Sequence, residues 1–283
     1  MRPLDQIIFA TESVVAAKFR CSPKDPRFRD SGPSGHCAVT FPRTSVWIRY
    51  SGSRSIVADP TVSTIYNPGQ EYTRSELSSD GDRCDWLGVS PGIALAISEA
   101  IDSRAQDRPG KPFMRELAAV DASLYLAQRR LFTRLERGSF DPFEAEEKIV
   151  GFVATVIRNA HGSTRPSDPP RAEDAHRDLV QRARAEIAKS VAEHVTLDRL
   201  ASRLGVSAFH LCRIFRERTG TTMHQYRLEL RLRLALEKLA GSRADLSRVA
   251  FDLGFSSHSH FSAMVRRQYG KTPTAVRQMV TSA

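Results

Sequence analysis

The sequence contains little cysteine, with four residues in a chain of 283, at positions 21, 37, 84 and 212. They are too few and too scattered for a disulfide framework, so we expect reduced thiols. No run approaches the roughly 20 consecutive apolar residues that a membrane helix needs, and the N-terminus lacks the basic start and apolar core of a signal peptide. These absences predict a cytoplasmic protein without a membrane partner.

The short motifs of common enzymes are also missing. There is no GxSxG, HExxH, P-loop or GxGxxG at a strand-to-helix junction, which leaves the hydrolase, zincin, NTPase and Rossmann classes without support. A composition of 41% hydrophobic and 26% charged residues is that of a globular protein and excludes disordered and collagen-like classes. We therefore expect a globular chain, long enough for two domains, that is not an enzyme.

The positive charge of the chain is confined to its last third. The sequence has 42 Lys and Arg against 32 Asp and Glu, a net charge of +10. Residues 1–175 hold 23 of each sign, whereas residues 176–283 hold 19 basic and 9 acidic residues and so carry the whole excess. A neutral domain followed by a basic one indicates that the second meets a polyanion. A basic surface that serves only solubility is the alternative.

The spacing of apolar residues divides the neutral part into strands and then helices. Short β-rich segments separated by Gly, Pro, Asp and Ser clusters occur up to about residue 90 and favour a barrel or sandwich. From about residue 91 the spacing is helical, and Pro91 and Pro142 suit first helical positions. We predict a β domain over residues 1–160 with helices from about 91, and a Pro- and Ser-rich linker over 161–175. The predicted strands include HCAVTF, SVWIRY, TVSTIY and WLGV.

One predicted helix, residues 114–137, has a narrow apolar stripe. This stripe covers the strands of its own domain or forms a dimer interface, and the sequence favours neither. Its members are Leu117, Val120, Leu124, Ala127 and Leu131.

The basic third has the pattern of two helices joined by a tight turn. Thr196 and Ser207 suit helix N-caps, and Gly205 suits the turn between the helices. Such a pair is typical of a helix-turn-helix unit, whose second helix fits a DNA major groove. The pattern recurs about 50 residues later, and residues 222–239 between the two copies predict one long helix. Ala201, Leu204, Gly205, Ser207, Leu211, Ile214 and Gly220 are matched by Ala250, Leu253, Gly254, Ser257, Phe261, Met264 and Gly270.

Residues 176–283 resemble the DNA-binding domain of the AraC/XylS transcription regulators. The resemblance rests on LASRLGVSAFHLCRIFRERTG at 200–220 and GFSSHSHFSAMVRRQYGKTPTAVR at 254–277. It implies an all-α domain in which two helix-turn-helix units, bridged by a long helix, read successive major-groove segments of promoter DNA. By the same resemblance the DNA-facing residues are Phe209, Cys212, Arg213 and Arg216 in the first unit and His258, Ser259, Ser262, Ala263 and Arg266 in the second.

The chemistry of the two reading helices differs. Arg213 can hold a guanine edge through two hydrogen bonds, and Phe209 can contact a thymine methyl. Alternatively Arg213 touches only phosphate, and Phe209 belongs to the core. Many relatives have Arg where Ala263 stands and Phe where Val265 stands. We therefore expect the first unit to carry most of the sequence specificity, through Arg213, and the second to anchor the domain.

The N-terminal part is similar, more loosely, to the sensing half of the same family. In many relatives a cupin-like β-barrel with following helices binds a small molecule and dimerises, and YNPGQEY at 66–72 looks like the turns of such barrels. The resemblance implies an α+β protein of two domains and a homodimer that responds to an unknown effector. Activation, with RNA polymerase as a further partner, is the commoner outcome among relatives. A barrel that only dimerises is the alternative.

A few side chains in the β domain suit a metal. Cys21, His36 and Cys84, with Glu76, provide thiolate, imidazole and carboxylate ligands of the kind that zinc prefers. Cys37 is a further candidate, although as a strand neighbour of His36 it should face the other side. The alternative is that the cysteines are buried core residues. A metal-dependent enzyme, or a DNA-repair enzyme of the Ada type, would also place a metal here, but the tight four-cysteine cluster of the latter is absent.

Overall fold

The chain folds into a sheet-rich N-terminal part and a helical C-terminal part. The structure is a computed structural model and describes residues 4–162, 170–240 and 245–281, without the side chains of residues 30, 31 and 170–172. Two compact units are formed, Met1–Ser163 with Gln278–Ala283, and Thr164–Arg277. Of the described helices, none is long and apolar enough to cross a membrane.

The N-terminal unit contains two antiparallel sheets. The larger has the strand order β1-β2-β9-β4-β7-β10 and the smaller β3-β8-β5-β6. The four strand segments predicted from apolar spacing are confirmed as β4, β5, β7 and β9. The strands are β1 (Asp5–Ala10), β2 (Val14–Cys21), β3 (Asp30–Pro33), β4 (Cys37–Pro42), β5 (Val46–Tyr50), β6 (Ile56–Ala58), β7 (Val62–Tyr66), β8 (Glu71–Glu76), β9 (Asp82–Val89) and β10 (Leu117–Ala119).

Three helices complete the N-terminal unit and seven follow. Pro91 and Pro142 stand at the first positions of α1 and α3, as their sequence context predicts. The long helix predicted over 222–239 is confirmed as α7. The helices are α1 (Pro91–Glu99), α2 (Ala122–Glu136), α3 (Pro142–His161), α4 (Pro170–Lys189), α5 (Leu197–Leu204), α6 (Ala208–Thr219), α7 (Met223–Ala240), α8 (Leu246–Asp252), α9 (His258–Tyr269) and α10 (Pro273–Thr281).

Two boundaries differ from the sequence prediction. His161 ends α3 and α4 begins at Pro170, so the predicted linker of 161–175 is helical at both ends, and residues 163–169 lie outside the described part. Proline has a fixed φ and tolerates the first turn of a helix, so a Pro-rich segment can start one.

The predicted helix over 114–137 is also shorter than expected. Leu117 belongs to β10, which pairs with β7, and α2 starts only at Ala122, where Asp121 caps it by accepting from the Leu124 N–H. The first member of the apolar stripe, Leu117, therefore lies in the sheet and not in a helix. Ala127 is exposed, while Tyr125, Leu126 and Phe132 are buried on the side of α2 that meets its own domain.

Candidate nucleic-acid interface

The first helix pair is built by local signals in the sequence. The Thr196 side chain accepts from the Arg199 N–H and caps α5, and the Ser207 side chain accepts from the His210 N–H and caps α6. Gly205 ends α5 with a φ of 72°, a left-handed conformation that glycine adopts without strain. The N–H of Val206 then bonds to the carbonyl of Ala201 at 3.1 Å. This turn sets the direction in which α6 leaves α5.

Helix α6 has one buried face and one exposed face. Leu211, Ile214 and Phe215 are fully buried in a core shared with α4, α5 and α7. The Phe209 side chain is 79% exposed, so the alternative that it belongs to the core is wrong. Cys212, Arg213 and Arg216 are exposed as well, and the predicted DNA-facing residues of the first unit therefore share an open face.

The second helix pair repeats this construction. Gly254, with a φ of 72°, follows α8, and the Phe255 N–H bonds to the Ala250 carbonyl at 3.0 Å, as Val206 bonds to Ala201 in the first pair. The Ser257 side chain accepts from the His260 N–H and caps α9. The cap prediction is therefore confirmed in both copies of the repeat. The turn is one residue longer here. The ring of Phe255 is buried and packs against that of Phe261.

Helix α9 presents a face equivalent to that of α6. Phe261 and Val265 are buried, which leaves the opposite side to solvent. His258, Ser259, Ala263 and Arg266 are exposed, and Ser262 is half-buried.

The charges on the two exposed faces are not the same. Arg213 donates to both carboxylate oxygens of Glu217 at 3.1 Å, an exposed pair one helical turn apart. The position in α9 that corresponds to Glu217 is Arg267. Exposed pairs of this kind are worth less than about 1 kcal/mol, so Arg213 can leave Glu217 at little cost. Helix α9 has no acidic residue and offers a more uniformly positive surface.

A half-buried arginine of α7, not anticipated from the sequence, joins the two helix pairs. Arg231 donates from Nε to the Val191 carbonyl at 2.6 Å and from Nη1 to the Gly254 carbonyl at 2.9 Å. Burial, together with the charge of Arg227, lowers the pKa of Arg231. The backbone before α5 and the turn before α9 are thus tied to one side chain. Gly254 itself packs so closely on the Ala192 carbonyl oxygen that no Cβ would fit between them.

The predicted metal ligands are not brought together in the described part of the chain. Among the described residues, no three His, Cys, Asp or Glu side chains are placed to hold one ion. Cys21 is buried in an apolar cluster with Phe28 and Val46, and Glu76 is exposed on β8 of the other sheet. His36 is exposed on the side of its strand opposite to the buried Cys37, as expected from the alternation of side chains.

The N-terminal unit contains a cavity of about 250 Å³ that the sequence did not reveal. Its walls include the aromatic side chains of Phe19, Tyr66, Tyr72 and Trp86, and the side chain of Arg74. His36 and Cys84 line it too, so two of the four predicted metal ligands reach one cavity without converging as a metal site. A cavity with aromatic walls and two arginines, Arg27 and Arg74, suits a small organic ligand.

Comparison with known proteins identifies the C-terminal domain. Residues 200–279, which span both helix pairs, match the model of a helix-turn-helix domain family. The HTH-type transcriptional activator RhaR of Shigella dysenteriae is 28% identical over 200 residues, which are 69% of this chain and 64% of RhaR. The C-terminal domain is thus similar to the helix-turn-helix domain of these transcription regulators. The chain spans less than two thirds of the length of the curated relatives it matches.

Two solved structures are examples of the similarity. A DNA-binding transcriptional dual regulator from Escherichia coli K-12 is 28% identical, covers 42% of this chain and 100% of its own, and has a TM-score of 0.35. ToxT from Vibrio cholerae O395 is 11% identical, covers 96% of this chain and 100% of its own, and has a TM-score of 0.38.

Proposed function

We propose that this protein is a DNA-binding transcription regulator that inserts α6 and α9 into the major groove of promoter DNA. The observation that carries the proposal is the similarity of the two exposed faces. Both helices follow a glycine turn and begin at a serine cap. Leu211 and Phe215 on α6, and Phe261 and Val265 at the corresponding positions of α9, are buried and leave the opposite face open. A helix exposed along one face at the end of such a pair is the element that enters a groove in helix-turn-helix proteins.

The side chains on these faces have distinct roles. Arg213 holds a guanine edge, Phe209 contacts a thymine methyl, and the small side chain of Cys212 lets the helix approach the bases. Arg216 and Arg266, one turn further along each helix, bind phosphates. On α9, His258, Ser259 and Ser262 provide hydrogen bonds to bases or phosphates. Ala263 has no hydrogen-bonding group, and its small side chain only lets the helix lie close to the bases. The first unit therefore specifies sequence more strongly than the second.

The N-terminal unit, in this proposal, is a cupin-like barrel that senses a small molecule in the cavity and forms a homodimer. Residues up to about 160 serve sensing and dimerisation, and residues from α4 onward bind DNA through two helix-turn-helix units. A barrel that only dimerises is less well supported, because side chains would then fill the space that the cavity occupies. Relatives named as activators favour activation here, with RNA polymerase as the further partner.

The experiment is a binding titration of the full chain on the fragment upstream of its gene and on a scrambled fragment, at several salt concentrations. With about 6–10 phosphate contacts, affinity should fall roughly 10³–10⁵-fold between 50 and 200 mM salt. At fixed salt the upstream fragment should bind more tightly. Arg213→Ala should reduce that preference by roughly 5- to 150-fold, because one bidentate contact to a base contributes about 1–3 kcal/mol of discrimination.

The matched control is Arg177→Ala, which removes an exposed arginine of α4 that pairs with Glu173 and lies on neither reading helix. It should leave the preference for the upstream fragment unchanged. If Arg213→Ala is as selective as the unaltered chain, α6 does not read sequence through Arg213. If neither fragment binds with a salt-dependent affinity, the proposed function is wrong.

A further inference from the structure

The cavity of the N-terminal unit contains a buried cation whose hydrogen bonds are incomplete. Arg74, on β8, is 4% exposed and lines the cavity. Its Nε lies 3.3 Å from a carboxylate oxygen of Asp82, and its Nη2 donates to the Tyr72 hydroxyl at 3.4 Å, which is a long contact. Within the described part of the chain, Nε and Nη1 have no hydrogen-bond acceptor. A guanidinium with five donors is thus buried with few of them used, which is costly.

Aromatic rings surround this guanidinium. Arg74 lies 4.3 Å from the centre of the Phe19 ring and 5.8 Å from that of Tyr72. Tyr72 and Tyr66 pack with ring centres 4.7 Å apart. The rings stabilise the positive charge but supply no acceptor for its N–H groups. The cavity therefore offers aromatic walls beside a buried guanidinium, with Arg27 as a second arginine in its lining.

Several other polar groups around the cavity already have partners. The Trp86 indole N–H donates to Asp5 at 2.7 Å, and the Thr40 and Thr64 hydroxyls bond to each other. A polyol such as a sugar needs several donors and acceptors that are free to bind it, whereas a carboxylate needs two donors on one cation. The unused hydrogen-bonding capacity at Arg74 fits the second kind of ligand.

A charged Asp82 would repel an anion bound at Arg74, and this repulsion can be measured. Asp82 is buried, and burial raises the pKa of its carboxyl although the charge of Arg74 opposes the shift. A ligand carboxylate would share Arg74 with Asp82 and would be repelled by it when Asp82 is charged. Removing the charge of Asp82 should then strengthen binding of an anion, an effect that a purely structural Arg74–Asp82 pair does not predict.

We propose that the cavity binds a small organic carboxylate with an apolar body, its carboxylate on Arg74 and its body among Phe19, Tyr66 and Tyr72. The inference rests on the proposed sensing function, of which it names the ligand class. A volume of about 250 Å³ is below the usual ~300–1,000 Å³ of pockets for drug-sized ligands and limits the ligand to a small molecule.

The test measures binding of phenylacetate and hexanoate to the full chain, with phenylacetamide and hexanamide as uncharged partners of the same shape. Binding is followed by Trp fluorescence, since Trp86 lines the cavity, and by the melting temperature. At least one acid should bind at least about tenfold more tightly than its amide, the worth of one hydrogen bond to a charged group. Arg74→Met should remove this preference, and Asp82→Asn should increase affinity for the acid.

Three outcomes would overturn the inference: neither acid binds at millimolar concentration, acids and amides bind equally, or Asp82→Asn weakens binding of the acid. Because Arg74→Met risks misfolding, Asp82→Asn provides the second and independent readout. The same samples are tested for specific DNA binding. If the chain binds DNA specifically but binds neither acid, only the proposed ligand class is wrong. If it binds an acid but not DNA specifically, the proposed function is wrong.

Discussion

Gly254→Ala should destabilise the C-terminal unit by about 2–5 kcal/mol, whereas Gly205→Ala should cost only about 1–2 kcal/mol. Both glycines have a φ of 72°, so an alanine at either position pays the same left-handed backbone strain. They differ in their surroundings. A Cβ at Gly205 meets nothing within 4 Å, but one at Gly254 overlaps the Ala192 carbonyl oxygen and lies 2.9 Å from Nη2 of Arg231. Backbone cannot move aside as a side-chain tip can.

The measurement is urea unfolding followed by circular dichroism at 222 nm and, in the same samples, by Trp fluorescence. Both tryptophans, Trp47 and Trp86, lie in the N-terminal unit, so their fluorescence midpoint should be the same in both glycine variants. Only the helical signal should shift, and further for Gly254→Ala. Equal losses at the two positions would show that the close approach of Gly254 to Ala192 does not exist in solution.

Asp85→Asn should destabilise the N-terminal unit by about 3–5 kcal/mol, because it leaves a buried arginine without its anion. Asp85, on β9, is fully buried and accepts from Nη1 of Arg129 at 2.5 Å and from Nε2 of Gln128 at 2.9 Å. Both donors lie on α2, and Arg129 is 4% exposed. Asparagine keeps the shape of the side chain and removes only its charge. The Trp fluorescence midpoint should fall accordingly.

The matched control on the same helix is Glu136→Gln, which breaks the more exposed pair between Glu136 and Lys18. An exposed pair contributes less than about 1 kcal/mol, so the fluorescence midpoint should hardly change. Comparable losses in the two variants would mean that the Asp85 network is hydrated and not the buried contact described above.

The sequence predicted well what neighbouring residues determine. Thr196, Ser207 and Ser257 cap helices as expected, because a cap satisfies N–H groups two or three residues away. The second helix pair was found because its pattern repeats the first at a nearly constant distance. Phe209 was ambiguous from spacing alone, since an aromatic residue near a helix start fits a core or a surface, and only the packed structure places it in solvent.

What the sequence did not predict depends on contacts between distant segments. Arg231 is one of many arginines in the basic third, and nothing local marks it as the residue that bonds to the carbonyls of Val191 and Gly254. Arg74 became a candidate only when the two sheets placed it beside Phe19 in a cavity. The metal candidates have the same difficulty, because residue type alone does not show which cysteines and carboxylates converge.

The chemistry of Cys212 permits a direct test of the DNA-facing surface. Cys212 is exposed, while Cys21 and Cys37 are buried. Burial raises the pKa of the Cys21 thiol, raises that of Cys37 to about 11 and raises that of the half-buried Cys84 well above its usual value, so all three remain protonated at neutral pH. The thiolate is the reactive form. N-ethylmaleimide should therefore modify Cys212 first in the folded chain.

The measurement that tests the central claim is the rate of Cys212 alkylation in the full chain with and without bound upstream DNA. The same rate is measured for Ala263→Cys on α9 and for Arg177→Cys on α4, both in a Cys212→Ser background. Contact of both reading helices with DNA predicts that the thiols at 212 and 263 react at least about tenfold more slowly in the complex, while the thiol at 177 reacts as before. Unchanged rates at 212 and 263 in a chain shown to be DNA-bound would contradict the account.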